Sequence, residues 1–167
     1  MGTGKSAVGR RLAKDLAFQF VDTDRVIEEK IGKKIADIFA EDGEGRFREL
    51  ESEAVRDVMC HNQMVVSTGG GAVLNRDNLD ILCQNGIVVW LTSRPEVILK
   101  RAQRRISDRP LLKGSNPLLK IRQLMGEREP YYNRAAFSVD TSDMSIDGVV
   151  AEIKEKVLGF ENNKSIS

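Results

Sequence analysis

Gly2-Thr3-Gly4-Lys5-Ser6, near the start of the chain, is typical of a loop that binds phosphate groups. In such a loop the glycines let successive backbone N–H groups turn toward phosphate oxygens, the lysine reaches the terminal phosphates, and the serine hydroxyl binds Mg²⁺. The amphipathic segment that follows predicts a helix from about Lys5, whose N-terminal end adds positive charge to the same site. A flexible glycine-rich start that runs into an ordinary helix is the alternative. The motif favours a nucleoside triphosphate as one ligand.

The complete pattern of this loop, G-x-x-x-x-G-K-[ST], has another glycine five positions before Gly4, and an apolar strand leads into it. Both features would fall before Met1. We therefore expect the chain as written to be poorly stable or inactive. Restoring both properties would take about ten further residues, the length of a strand and a turn.

Length and composition indicate one soluble globular domain, which we expect to span residues 1–160, with a polar tail over 161–167. A chain of 167 residues can bury a sizeable core. The formal net charge of +1 gives no general attraction to nucleic acid or to an anionic membrane, and no apolar run is long enough to cross a membrane. Without CxxC spacing, Cys60 and Cys83 are expected to be reduced and mostly buried. We expect a cytoplasmic monomer.

Apolar segments that suit strands alternate with amphipathic segments that suit helices along the whole chain. The predicted strands are 18–21, 64–67, 87–91 and 137–140, and the predicted helices are 5–17, 25–31, 35–40, 45–59, 77–84, 95–105, 118–129 and 146–158. The segment 87–91 is apolar at every position, which is typical of a central parallel strand buried on both faces. The alternation predicts an α/β fold in which helices cover both faces of a parallel sheet.

Two aspartates directly follow the first predicted strand. Asp22 and Asp24 lie at the carboxyl end of a strand, where α/β proteins with parallel sheets bind their ligands. One carboxylate can hold magnesium through water while the other accepts a proton or a hydrogen bond from a hydroxyl group. The alternative is that Asp24 only caps a helix beginning at Arg25. Since the second predicted strand ends in Ser67-Thr68 without an aspartate, Asp22 would have to supply the carboxylate for magnesium.

Three consecutive glycines, Gly69, Gly70 and Gly71, follow the second predicted strand. Such a run is costly in conformational entropy, so it favours a place where the backbone must come close to a small molecule. An irregular turn is the alternative.

Three arginines are candidates for binding anionic groups. Arg109 lies in the irregular segment 104–117, which we interpret as a mobile lid that closes over phosphate rather than as a solvated loop. Glu51, three residues after Arg48, can hold the guanidinium group of that arginine in place. Guanidinium groups bind carboxylates in a bidentate manner. If Arg48 and Arg128 converge with the aspartates and the glycines, the substrate has a carboxylate and hydroxyl groups.

Seven motifs, in this order, resemble those of the shikimate kinases, and the resemblance covers the chain from Met1 to about Leu158. They are G-T-G-K-S at 2–6, D-T-D at 22–24, I-A-D-I-F at 35–39, F-R-x-x-E at 47–51, G-G-G-A-V at 69–73, R-P-L-L at 109–112 and E-R-x-P-Y-Y at 127–132. Each motif is weak alone, but the ordered set is specific.

The resemblance implies a three-layer P-loop kinase fold whose parallel sheet has the strand order 2-3-1-4-5. Strand 1 of that order is missing from this chain. Its two neighbours, 64–67 and 87–91, would then lose a shared partner, and their backbone groups would need other hydrogen bonds.

The resemblance also implies ATP- and Mg²⁺-dependent phosphorylation of the 3-hydroxyl of shikimate, in aromatic amino-acid biosynthesis. The implied nucleotide site comprises Gly2, Thr3, Gly4, Lys5, Ser6, Ala7, Arg101 and Arg109. The implied shikimate site comprises Asp24, Arg48, Gly69, Gly70, Gly71 and Arg128. Ser6 and Asp22 would hold the metal, and Asp24 would act as the base, with Lys5 and Arg109 as the other catalytic groups.

Two other interpretations stay open at this point. The chain could be another small-molecule kinase, of the gluconate or nucleoside monophosphate type. The F-R-x-x-E motif and the triple glycine argue against this, because a nucleobase acceptor does not need two arginines that bind a carboxylate. The chain could also be a non-catalytic kinase-like domain that binds a ligand or partner, and the missing strand is the one feature in its favour.

Overall fold

The computed structural model describes residues 2–103 and 116–164. Helices and strands alternate along these residues, as the sequence predicts. The helices are α1 (Lys5–Leu16), α2 (Thr23–Ile31), α3 (Ile35–Glu41), α4 (Gly43–Met59), α5 (Arg76–Asn85), α6 (Pro95–Gln103), α7 (Pro117–Tyr132) and α8 (Ile146–Lys164). The strands are β1 (Gln19–Asp22), β2 (Met64–Ser67), β3 (Val89–Thr92) and β4 (Phe137–Asp140), and a short 3₁₀ helix spans Ala72–Leu74.

The end of α7 differs from the prediction. The sequence predicts an end before Pro130, but the helix continues through this proline to Tyr132. Two bonds hold the last turn: the N–H of Asn133 donates to the carbonyl of Glu129 at 3.2 Å, and the Tyr132 hydroxyl donates to the carbonyl of Gly70 at 3.1 Å. Tertiary contacts therefore outweigh the missing N–H of the proline. At the other end of the chain, α8 continues to Lys164 and includes the first residues of the expected tail.

The strands form two separate parallel pairs within the described residues. β1 pairs with β2, with Phe20 opposite Val65, and β3 pairs with β4, with Leu91 opposite Val139. These pairs correspond to positions 2-3 and 4-5 of the expected sheet order. Between them lies a cavity of about 630 Å³, lined by every residue of β2 and β3, which we call the inter-sheet cleft.

Helices cover the strands on two faces. On one face, buried residues of α1 and α8 pack against Val89 and Leu91 of β3; they are Val8, Val149, Val150 and Ile153. On the other face, Val55 of α4 and Leu82 of α5 pack against Val88, just before β3. The three layers of the expected fold are therefore present.

β3 is less buried than its sequence suggests. The segment 87–91 was expected to be buried on both faces, but the strand begins at Val89 and each of its four residues is only half-buried. Helices do cover both of its faces, so the exposure comes from the side where β3 borders the inter-sheet cleft.

Two smaller expectations concern the membrane and the thiols. None of the helices in the described part of the chain is both long and apolar enough to cross a membrane. The prediction that both cysteines are mostly buried is wrong: both thiols are free, but Cys60 is exposed and Cys83 is half-buried. Cys60 directly follows the last turn of α4, where the chain leaves the core.

The close packing of α1 on β1 gives a stability prediction. A Cβ atom at Gly9 would lie 2.7 Å from the Phe20 ring, whereas at Gly126, on the exposed side of α7, it would meet nothing within 4 Å. Gly9→Ala should lower the free energy of unfolding by roughly 1–2 kcal/mol, because overpacking outweighs the gain in helix propensity. Gly126→Ala, the matched control, should raise it by about 0.5–1 kcal/mol. Urea unfolding measures both, and a stabilised Gly9→Ala would contradict this packing.

Candidate active site

The glycine-rich loop at 2–6 lies at the carboxyl ends of the strands. Gly2 and Gly4 have φ values of 69° and 91°, in the left-handed region that glycine tolerates best. The carbonyl of Gly4 accepts the first backbone bonds of α1, from Ala7 at 3.0 Å and from Val8 at 2.9 Å. The loop thus leads directly into the N-terminus of a twelve-residue helix, as the motif predicts.

Asp22 connects this loop to β1. The Ser6 hydroxyl donates to Oδ2 of Asp22 at 2.7 Å, and Oδ1 of Asp22 accepts the backbone N–H of Asp24 at 3.2 Å. Asp22 is therefore the N-cap of α2, which begins at Thr23. The alternative that Asp24 only caps a helix starting at Arg25 is wrong, and the carboxylate of Asp24 remains available for another role.

Asp24 lies in the first turn of α2 in an environment that disfavours its charge. Its pKa is raised from 3.8 to about 6, first by burial and then by the negative charges of Asp22 and Glu51, while Lys5 lowers it. Its Oδ1 atom is buried and has no hydrogen-bond partner among the described residues. A buried carboxylate oxygen without a partner among the described residues, beside the glycine-rich loop, is available to accept a bond from a ligand.

Glu51 and Arg48 form an ion pair on α4. Nη1 of Arg48 donates to Oε2 of Glu51 at 2.7 Å, and the side chain of Glu51 is only 2% exposed. Burial raises the pKa of Glu51, and Arg48 and Arg128 both act against that rise. The other guanidinium edge of Arg48 binds Glu44, with Nη2 at 2.8 Å and Nε at 3.2 Å. The prediction that Glu51 holds Arg48 in place is confirmed.

The triple-glycine turn lies against these charged groups. A Cβ atom at Gly69 would lie 2.5 Å from Oε1 of Glu51 and 2.9 Å from Oδ1 of Asp24, and one at Gly71 would collide with the guanidinium of Arg48. A side chain at either position would therefore require the carboxylates of Glu51 and Asp24 or the guanidinium of Arg48 to move. The turn also contacts the start of α2, because the N–H of Gly69 donates to the Thr23 hydroxyl at 3.2 Å.

Arg128 and Tyr132 approach the same turn from α7. Arg128 is 8% exposed, and its Nε atom is buried with no partner among the residues described. Tyr132 donates to the carbonyl of Gly70, and its ring stacks on Trp90 of β3 with centroids 5.2 Å apart. Through this hydrogen bond, Tyr132 joins the end of α7 to the glycine turn. It was present in the E-R-x-P-Y-Y motif, but nothing in the sequence assigned it a role.

Arg101 lies beside the loop rather than among the acceptor residues. Its Nη2 donates to the carbonyl of Thr141 at 2.6 Å and its Nη1 to the Thr141 hydroxyl at 2.9 Å. That hydroxyl lies 3.0 Å from the carbonyl of Thr3, so Thr141 joins the end of β4 to the loop. Sequence reasoning missed Thr141. Arg109 and all but the last two residues of the expected lid, 104–117, lie outside the described residues.

The structure therefore gathers most predicted site residues at one edge of the fold. Gly69 lies against the buried carboxylate of Glu51 and against Asp24, and Gly71 lies against Arg48. Arg48 and Arg128 are both close enough to Glu51 to lower its pKa. Lys5 is close enough to Asp24 to lower the pKa of that carboxyl group. Lys5 belongs to the loop 2–6, whose sequence motif predicts nucleotide binding. Such an arrangement can place a phosphoryl donor beside an acceptor that carries its own negative charge.

Comparison with known proteins places this site in a family. A family model described as shikimate kinase matches residues 1–158. The chain belongs to the shikimate kinase family. The shikimate kinase of Thermoanaerobacter pseudethanolicus is 45% identical over 153 residues, which cover 92% of this chain and 89% of that protein. The shikimate kinase of Moorella thermoacetica is 48% identical over 155 residues, which cover 93% and 88%.

Solved structures agree with the family and the P-loop kinase fold. Shikimate kinase from Acinetobacter baumannii in complex with shikimate matches with a TM-score of 0.91 and 37% identity, covering 95% of this chain and 89% of that one. A gluconokinase from Sinorhizobium meliloti matches with a TM-score of 0.62 and 16% identity, covering 99% and 91%, a likeness that shows the fold alone. The resemblance to shikimate kinases drawn from the seven motifs is confirmed.

The buried carboxylate of Asp24 gives a pH-dependent prediction. Between pH 3.8 and about 6 the folded protein keeps a proton on Asp24 that the unfolded chain has lost, so folding stability falls as pH rises through this range. Asp24→Asn removes this linkage. The variant should exceed the unsubstituted protein in free energy of unfolding by roughly 2–3 kcal/mol at pH 7 and by little at pH 4.

Urea unfolding at both pH values measures this difference. Asp37→Asn is the control, because Asp37 is an exposed aspartate in the first turn of α3. It should leave the pH dependence unchanged. An Asp24→Asn variant with the same pH dependence as the unsubstituted protein would show that Asp24 titrates normally.

Proposed function

We propose that this protein transfers the γ-phosphoryl group of ATP to the 3-hydroxyl of shikimate, giving shikimate 3-phosphate and ADP. Three groups carry the proposal: Arg48 and an Asp24 oxygen that lie against the glycine turn, and Arg128, which is close enough to Glu51 to lower its pKa. The Asp24 oxygen has no partner among the described residues. This arrangement suits a small molecule with a carboxylate and hydroxyl groups. Shikimate is such a molecule, and a solved relative was crystallised with it.

The shikimate carboxylate would bind Arg48 and Arg128. A guanidinium group has five N–H donors, and the bonds of Arg48 to Glu44 and Glu51 use three of them. The buried Nε of Arg128 has no partner among the described residues, and a bound carboxylate would supply one. The glycines 69–71 would let the ring lie directly against the backbone.

Asp24 would hydrogen-bond the ring hydroxyls and accept a proton from the 3-hydroxyl during transfer. With a pKa of about 6 it is largely ionised at pH 7, and it is a stronger base than an ordinary aspartate. The nearby Lys5 would stabilise negative charge on the transferring phosphoryl group. Asp24, Lys5 and Arg109 are thus the proposed catalytic groups.

The nucleotide would bind the loop and the start of α1, through Gly2, Thr3, Gly4, Lys5, Ser6 and Ala7. Arg101 would lie near the adenine, since its contact with Thr141 already places it beside Thr3 of the loop. Arg109, in the proposed lid 104–117, would complete the phosphate site. Residues 1–160 would form one domain, and we propose that the protein acts as a cytoplasmic monomer in aromatic amino-acid biosynthesis.

Ser6 and Asp22 fit a Mg²⁺ site. Their oxygens lie 2.7 Å apart beside the loop, and hard oxygen donors are the ligands that Mg²⁺ prefers. Mg²⁺ commonly keeps several waters and binds substrate phosphates, so one hydroxyl and one carboxylate suffice from the protein. When bound, the ion would neutralise charge on the phosphates of the nucleotide.

ADP release measured with Mg-ATP tests this function. In this chain, or in a version extended by an apolar strand that leads into the loop, we expect turnover that depends on shikimate and not on gluconate or a nucleoside monophosphate, with the product identified by ³¹P NMR. Asp24→Asn should lower kcat by about 10²–10⁴-fold, the typical contribution of a general base, while Asp37→Asn should not change it. Turnover that depends on gluconate, or Asp24→Asn with normal kcat, would contradict the proposal.

Arg128 gives a separate test of substrate binding. Arg128→Lys keeps the positive charge but loses the planar fork that matches a carboxylate, so KM for shikimate should rise roughly 10- to 100-fold while KM for ATP stays constant. Arg122→Lys is the control on the same helix, where the arginine is exposed and pairs with Glu96. Equal effects of the two substitutions would show that Arg128 does not bind the acceptor.

A further inference from the structure

We propose that Glu44 determines how tightly the protein binds its acceptor, because its carboxylate holds Arg48 before the acceptor binds and leaves Arg48 when the acceptor carboxylate arrives. The inference rests on the proposed function, in which Arg48 binds that carboxylate. Oε1 of Glu44 accepts from two atoms of Arg48, from Nη2 at 2.8 Å and from Nε at 3.2 Å. Glu44 thus takes N–H groups to which a carboxylate of the acceptor would otherwise bind.

The guanidinium group of Arg48 has two edges at which it can donate two parallel N–H bonds to a carboxylate. Glu44 takes the edge formed by Nε and Nη2. The other edge is formed by Nη1 and Nη2, and Nη1 already donates to Glu51 at 2.7 Å. Two N–H groups remain, but atoms of both edges already have a carboxylate partner. An acceptor carboxylate therefore binds best if one of these partners gives way.

Exposure decides which partner gives way. The side chain of Glu44 is 63% exposed, whereas that of Glu51 is only 2% exposed. Water can replace the bonds of Glu44 at little cost, and exposed ion pairs between residues four apart on a helix are weak. Glu51 would instead lose its counter-ion inside the protein, which is costly. Glu51 is thus the permanent partner of Arg48, and Glu44 is the exchangeable one.

The negative charges around Arg48 favour the same exchange. Glu44 is close enough to Glu51 to raise the pKa of that carboxyl group, so the two carboxylates repel each other. Asp24 belongs to the same group of charges, because Glu51 helps to raise its pKa as well. An acceptor that brings another carboxylate adds to this repulsion, and movement of Glu44 into water relieves it.

Glu44→Gln tests the exchange, because glutamine keeps the length and the helix propensity of glutamate but removes its charge. Glu49→Gln is the matched control. Glu49 lies on the same helix, its side chain is 66% exposed, and it pairs with Arg46 at 2.8 Å. Isothermal titration calorimetry with shikimate, on the same form of the protein that is used for turnover, measures the affinity without phosphoryl transfer.

We expect Glu44→Gln to lower Kd for shikimate by about 2- to 5-fold, the factor that corresponds to one exposed ion pair. KM for shikimate should fall by a similar factor, while KM for ATP should stay constant. Glu49→Gln should bind shikimate as the unsubstituted protein does. The direction is diagnostic, because loss of a residue that only supports Arg48 would weaken binding.

The methyl ester of shikimate separates charge from shape. It keeps the ring and the hydroxyl groups but has no carboxylate charge, so Glu44→Gln should not improve its binding. Equal gains for shikimate and the ester would show that Glu44 acts through the shape of the site, and would overturn the inference. A Kd for shikimate that is unchanged or higher in Glu44→Gln would also overturn it and leave the proposed function intact. Shikimate that binds to no version of the protein would overturn the proposed function, and this inference with it.

Discussion

The arrangement of Asp24, Arg48 and the triple-glycine turn depends on the ion pair between Glu51 and Arg48. Glu51 is almost fully buried, and its carboxylate would be costly there without the guanidinium 2.7 Å away. The pair fixes the direction of Arg48, and Arg48 in turn occupies the space where a side chain at position 71 would stand. The charge of Glu51 also contributes to the raised pKa of Asp24. The buried carboxylate of Glu51 thus fixes the position of Arg48, restricts position 71 through that arginine, and helps to raise the pKa of Asp24.

The second constraint is the direction of the strands. Because all four are parallel within their pairs and end at the same loop, the residues after them come together without any long connection. Thr23, the first residue of α2, joins that helix to the turn after β2, and Thr141 joins the end of β4 to the loop. Tyr132 also connects the two strand pairs, because it contacts Gly70, after β2, and stacks on Trp90 of β3. These contacts hold the site together although no described backbone pairing joins β2 to β3.

Local chemistry made much of this predictable from sequence. The alternation of strands and helices and the spacing from Arg48 to Glu51 depend on residues close together in the sequence, and the structure confirms both. The glycine-rich loop leads into a helix as predicted, and its binding of phosphate stays a prediction. The contacts that sequence reasoning missed join residues far apart in the chain. Two examples are the bonds of Thr23 with Gly69 and of Tyr132 with Gly70. The second of these helps α7 to continue through Pro130, which sequence reasoning also missed. The alternative that Asp24 caps this helix was wrong by two residues, because either aspartate has the chemistry to cap a helix.

Burial of β3 could not be predicted from its own residues for a related reason. An apolar strand is buried by its neighbours, and on one side β3 has the inter-sheet cleft instead of a paired strand. The sequence of a strand indicates that burial suits it, but the neighbouring elements decide how far the strand is buried.

The most direct test of this geometry is a crystal structure of the protein with shikimate bound. The convergence of charges predicts that the carboxylate of shikimate lies within hydrogen-bond distance of Arg48 and Arg128, with a ring hydroxyl on the carboxylate of Asp24. A ligand whose carboxylate points toward the loop 2–6, or whose hydroxyls lie away from Asp24, would contradict the assignment of this site.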